Sequence, residues 1–241
     1  MTDLIEISEI IKQSDDILWN VYACSKDSSF NKLKSNLIYP RTSNFIVRVS
    51  EQEARAIFSN QLTKSKNNYL YSLETPTILR YKLTGQKERK ALTDLTIYSN
   101  SGEILFSVEF KNGTITPNNK SSFPIEKDIL KILLEDSNCI WFHTLESTDN
   151  STIYNVLEVI KHNLKDAYIK NQSEIKDKKI LFHLIILKHG FSLTKILDIS
   201  KTFKVENLDE FFNIKYEVSR SILKSIKNNH WTINALDLSN I

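Results

Sequence analysis

The stretch Ala91-Leu-Thr-Asp-Leu-Thr-Ile-Tyr98, the cluster Ser99-Asn-Ser-Gly102, and the run Ile104-Leu-Phe-Ser-Val-Glu-Phe-Lys111 together decide how this chain is read. Two runs of good strand formers flank a group of turn formers, so the segment reads as a β-hairpin. Side chains alternate across a strand, which puts Glu109 and Lys111 on one face and Val108 and Phe110 on the other, toward a core. With Ser101-Gly102 as a two-residue loop, Asn100 pairs with Glu103, and counting outward places Asp94 opposite Glu109.

Like charges directly opposite each other on a sheet are destabilising, so something positive is expected between these two acids. Lys111 can supply part of that charge, and a Mg²⁺ ion, commonly held by one or two carboxylates plus waters, can supply more. The pattern alone is loose, because exposed strands often carry Glu and Lys two apart as a solvated face. Its surroundings sharpen it. Asp94, Glu109 and Lys111 each interrupt a run of apolar strand formers, where an ionisable group is costly unless paired or metal-bound.

The elements around the hairpin follow from periodicity. A helix from about Glu51 to Lys64 precedes a strand around Tyr69–Thr77; after the hairpin come a helix near Ile125–Glu135 and a strand near Cys139–Leu145. Thr93-Asp94 and Glu109-Phe110-Lys111, in this order of elements, resemble the PD-(D/E)XK signature of restriction-endonuclease-like nucleases. The resemblance spans roughly residues 50–146 and departs at the first motif position, where Thr93 stands in place of Pro. It implies an α/β fold, an αβββαβ core with a central mixed sheet flanked by helices. It further implies a Mg²⁺- or Mn²⁺-dependent endonuclease cleaving phosphodiester bonds in DNA, in restriction or another defence role. Asp94 and Glu109 would ligate the metal with the backbone carbonyl of Phe110, and Lys111 would orient or activate the attacking water. Two other readings stay open: a catalytically silent module of the same fold that binds nucleic acid or protein, and a nuclease acting on RNA.

In that family an acid on the helix before the first strand often reaches the metal, which makes Glu53 a further candidate ligand. The spacing in Ser50-Glu-Gln-Glu53 is equally that of a capping box, with Ser50 as N-cap. Gln52 and Glu74 could also line the site. A basic segment, Arg80, Lys82, Lys87, Arg89 and Lys90, leads into the hairpin and suits contacts to a phosphate backbone, although a charge run is commonly a solvated face. On the helix after the hairpin, Ile125, Ile129, Ile132 and Leu133 form an apolar stripe. Lys127 and Lys131 lie one turn apart away from it, available to nucleic acid.

Composition bounds the remainder. With 241 residues, 41% hydrophobic, the chain can bury a proper core, and a net charge of +3 does not by itself mark a nucleic-acid binder. Four glycines leave no P-loop or dinucleotide fingerprint. Cys24 and Cys139 belong to no metal or disulfide spacing, and His143 and His183 sit in apolar runs as hydrogen-bonded core or sheet-face residues. Asp3, Glu6 and Glu9 argue against a signal peptide, and the longest apolar run, Ile180–Leu187, is too short to span a bilayer. A cytoplasmic protein without membrane contact is expected, as a homodimer or with a partner protein. The chain reads as one enlarged domain: a core of about 50–146, a sheet extension of about 147–190 and a helical part of about 191–241. In the extension, Ser151–Lys170 is helical and Lys179–Lys188 a buried strand; helices are expected at Ser192–Lys201 and Leu208–Lys227, and the first fifty residues look mainly helical, with Trp19, Val21 and Tyr22 to pack.

Overall fold

The computed structural model describes residues 2–41, 47–81, 87–113, 122–146, 150–171, 173–175, 178–188 and 191–198. In chain order the elements are α1 (Thr2–Asp27), α2 (Glu51–Lys64), β1 (Leu70–Tyr81), β2 (Arg89–Tyr98), β3 (Ile104–Asn112), α3 (Ser122–Leu134), β4 (Asn138–Glu146), α4 (Asn150–Asn171), β5 (Ile180–Lys188) and β6 (Phe191–Asp198). The strands form one six-stranded sheet in the order β1-β2-β3-β4-β5-β6. Pairings β1–β2, β2–β3 and β5–β6 are antiparallel. Pairings β3–β4 and β4–β5 are parallel, and the helices α3 and α4 make those two crossovers. The protein is therefore α/β with a mixed sheet.

Helices cover both faces of the sheet, which follows from strands whose two faces are both apolar. On one side α1 and α2 bring Ile7, Ile11, Leu18, Ile57, Phe58 and Leu62 against Leu95, Val108, Phe110 and Phe142. The rings of Phe58, Phe110 and Phe142 meet with centroids 5.2–5.8 Å apart. On the other side α3 and α4 bring Ile129, Ile132, Leu133, Val156, Ile160 and Leu164 against Trp141, Phe182 and Leu184. Val21 and Tyr22 are buried and Trp19 packs against the first core, as the sequence suggests.

Two expectations are corrected. The hairpin loop is longer than two residues: Gly102 N–H donates to the Ser99 carbonyl at 3.0 Å, and Ser99 N–H to that of Glu103 at 2.9 Å. Gly102 takes φ +84°, a conformation that a side chain would disfavour. A register shift between Ile97 and Tyr98 absorbs the difference, so Leu95 still pairs with Val108, as the shorter loop would have it. The first fifty residues, expected to be mainly helical, carry α1 as far as Asp27, where Ser28 (φ 58°) turns the chain, Ser29 N–H caps the Cys24 carbonyl at 3.1 Å, and a 3-10 turn follows at Phe30–Lys32. Phe191–Asp198, expected within a helix, is a strand pairing β5 from Lys188–Phe191 to Leu181–Asp198. The expected helix Leu208–Lys227 lies outside the described residues. Among the described residues, no helix is long and apolar enough to cross a membrane. Cys24 and Cys139 are free and buried.

Candidate active site

Pairing between β2 and β3 runs from Tyr98–Ile104 to Leu95–Val108 and stops there. One step further, Asp94 and Glu109 would stand opposite each other; the expected pair is not made, because two facing carboxylates repel. Side chains take up the backbone groups that the ladder leaves. Asp94 Oδ2 accepts the Phe110 N–H at 2.7 Å, Thr93 Oγ1 donates to the Val108 carbonyl at 3.2 Å, and Lys131 Nζ donates to the Leu92 carbonyl at 2.8 Å. β3 meanwhile continues along β4, with Glu109 beside Trp141 and Lys111 beside His143. Thr93 thus ties the two strands together.

The cation that pairs most closely with Glu109 is an unexpected residue. Lys131, expected to face solvent, is 4% exposed, and its ammonium lies 2.6 Å from Glu109 Oε2 and 2.9 Å from Asp128 Oδ1. Asp128 Oδ2 in turn holds Lys111 Nζ at 2.7 Å, while Lys111 lies 4.0 Å from Glu109 Oε2 and 5.9 Å from the centre of the Trp141 ring. Glu109 is 2% exposed, and its Oε1 has no hydrogen-bond partner among the described residues. Burial pushes the Glu109 carboxyl up to about 8, with Asp94 and Asp128 adding to the effect and Lys131 and Lys111 opposing it. Burial alone would discharge Lys111, but Asp128, Glu109 and Asp94 hold it protonated, above the usual lysine range. Burial also works against a charged Asp128, and its two lysine partners overcome this and lower its pKa.

Asp128 escaped the sequence reading although it carried a signal. It stands three residues after Ile125 and four before Ile132, inside the apolar stripe, where an acid has to have a partner.

The helix acid that approaches the cluster is Glu51, not Glu53. Glu51 is half-buried, and burial raises its pKa, with Asp94 and Asp128 adding to the effect and Lys111 and the Asn112 backbone opposing it. Glu53 accepts a hydrogen bond from Ser50 Oγ, and its charge bears on buried Tyr39. Residues two apart on a helix point about 200° away from each other, so both cannot serve one site. The cap itself forms, since Ser50 Oγ accepts the Gln52 N–H at 3.3 Å. Gln52 accepts from Arg55, which pairs with exposed Glu74 at 3.8 Å, so these residues make a separate surface chain.

The basic residues gather at the far end of the β1–β2 pair. Arg80 pairs with Glu88 at 3.6 Å, and Lys87, Arg89 and Lys90 are exposed; Lys82 lies outside the described residues. Arg89 and Lys127 both lie over the Tyr81 ring, at 5.2 and 5.0 Å from its centre. Lys127 also lies 3.8 Å from Asp128, so the cationic surface reaches the buried cluster. A cavity of about 520 Å³ lined by Lys34, Leu37, Ile57, Asn60 and Lys64 shares no residue with it.

Among the described residues, no three His, Cys, Asp or Glu side chains converge as a ready-made metal cage. The donor set still fits Mg²⁺ or Mn²⁺, which needs only one or two carboxylates beside waters and phosphate. Asp94 and the unpartnered Glu109 Oε1 are the carboxylates that would serve. His143 and His183 are no part of it: His143 Nε2 donates to the Gly113 carbonyl at 2.8 Å, and His183 pairs with buried Asp15 at 2.9 Å. No family model, curated protein or solved structure matches the chain.

Proposed function

We propose that this chain is a metal-dependent endonuclease with a restriction-endonuclease-like core, hydrolysing phosphodiester bonds in DNA. The observation that carries this reading is the convergence of Asp94, Glu109 and Lys111 where β2 leaves β3, with Glu109 Oε1 buried and unpartnered. The element order from α2 to β4, α-β-β-β-α-β, supports it.

Asp94 and Glu109, with the Phe110 carbonyl, would hold a Mg²⁺ or Mn²⁺ ion, whose chemistry when bound is to polarise a phosphate oxygen and acidify a water. Glu51 lines the same space from α2 and can order a water there. Lys111, held protonated by Asp128, acts as a fixed cation that orients the nucleophile and stabilises charge gathering on the phosphate, rather than as a base. Arg89, Lys90, Lys87 and Lys127 would take the nucleic-acid backbone along the adjoining surface.

One observation favours the silent binding module instead: Glu109, Asp128, Lys111 and Lys131 already neutralise one another within the chain. Cleavage of plasmid, single-stranded DNA and RNA with Mg²⁺ or Mn²⁺, by wild type and Glu109→Gln, separates the readings. Metal-dependent nicking lost in the variant supports the nuclease, cleavage of RNA alone reassigns the substrate, and binding without cleavage supports the silent module.

A further inference from the structure

We propose that Asp128 and Lys131 are positioning residues: a clasp on α3 that fixes Lys111 and one oxygen of Glu109, so that the other oxygen, with Asp94, is left to a divalent cation. The inference rests on the metal-dependent reading given above.

An ammonium has three donors and no acceptor. Lys131 commits all three, to Glu109 Oε2 at 2.6 Å, Asp128 Oδ1 at 2.9 Å and the Leu92 carbonyl at 2.8 Å. It therefore has nothing left for a substrate, and it closes one side of the Glu109 carboxylate. Asp128 divides its two oxygens between Lys131 and Lys111. Lys111, with one strong partner and 17% of its side chain exposed, is both located and reachable. The spacing of three places both clasp residues on one helix face. Stability is a poor reason for such a cluster, because replacing a buried ion network by apolar groups is often neutral or stabilising. What the clasp does supply is orientation: Glu109 Oε1 is the carboxylate atom left without a partner, beside the strand that carries Asp94.

Neither clasp residue touches the cation, so each acts on it through charge and through its neighbour. Lys131→Met removes a positive charge from beside Glu109, and Asp128→Asn removes a negative one. Mn²⁺ is titrated calorimetrically into the full chain without nucleic acid, for wild type, Glu109→Gln, Lys131→Met, Asp128→Asn and the double variant. Lys131→Met is expected to tighten binding and Asp128→Asn to weaken it, each by roughly tenfold for a unit charge a few ångströms away. The double variant restores the charge balance, so its affinity returns close to that of wild type. It nevertheless cleaves more slowly at saturating Mn²⁺, because Lys111 has lost its partner. A purely structural pair cannot move affinity in opposite directions and then cancel. If either single variant fails to fold, the balanced double variant decides through its wild-type-like affinity and reduced rate. Affinity that Lys131→Met and Asp128→Asn leave unchanged, or move in the same direction, overturns the clasp, while its loss in Glu109→Gln keeps metal binding by wild type intact. Wild type that takes up no Mn²⁺ overturns both the clasp and the reading beneath it.

Discussion

Mild acid should destabilise this protein through one buried ring. His143 lies on β4 beside Lys111 with no exposed surface. The Gly113 carbonyl at 2.8 Å is an acceptor, so Nε2 carries the hydrogen, and Nδ1 accepts from Trp141 Nε1 at 3.5 Å. Protonation would put a second N–H on Nδ1, facing another donor. Burial is the main force lowering the pKa from 6.5 to about 4, helped by the charges of Lys111 and His183 and opposed by the Gly113 hydrogen bond. The unfolded chain thus takes up this proton near 6.5, whereas the folded chain resists until about 4. Stability from the neutral ring is complete above that upper value and is lost as pH falls through the interval. Between about pH 7 and about pH 4.5 the loss amounts to about 2 kcal/mol, at ~1.4 kcal/mol per pH unit. His143→Gln can still donate to Gly113 but cannot titrate. Urea unfolding of both proteins across this range cancels the carboxylates they share, and the difference in free energy should shrink by that amount on acidification. Parallel curves for the two proteins would refute the assignment of a neutral, doubly engaged ring.

Glu109→Ala leaves the Lys131 ammonium buried without its 2.6 Å partner and should cost about 3 kcal/mol in chemical denaturation; Glu109→Gln should cost clearly less. Ser50→Ala should lower stability by about 1 kcal/mol through loss of the α2 cap while leaving the cleavage rate alone, and a changed rate would tie the cap to the site. Reversing Arg89 and Lys90 to Glu should weaken DNA binding and flatten its salt dependence in a titration at several ionic strengths. Equal slopes for variant and wild type would remove that surface from the binding model.

Local patterns carried the parts of this fold that the sequence makes legible. Alternation in Ile104–Lys111 and the helical stripe from Ile125 to Leu133 each report on one element: Phe106, Val108 and Phe110 do share one core, and the stripe lies in the other, although the opposite face of β3 is buried as well. Leu193, Ile196 and Leu197 are spaced like a helix face, which is why Phe191–Asp198 reads as helical; pairing with β5 overrides that spacing. The motif brought out Asp94, Glu109 and Lys111, but their partners were hidden. Whether Lys131 faces water or a carboxylate depends on what lies beneath α3, and residues far back in the chain decide that. Glu51 and Glu53 are alike in composition and differ only in helical phase, which periodicity fixes poorly at a first turn.

The sheet runs in sequence order from β1 to β6, and the charged cluster inherits that simplicity. Asp94, Glu109, Lys111, Asp128 and Lys131 all come from one continuous span, with Glu51 alone arriving from before it. Few long loops need closing to assemble the cluster, so its entropic cost is small and its contacts can form early in folding. The outlying α1 and β6 contribute none of these charges. Changes in those elements can therefore tune stability or add partners while the chemistry of the central span is kept, so the site can be altered independently of the elements that frame it.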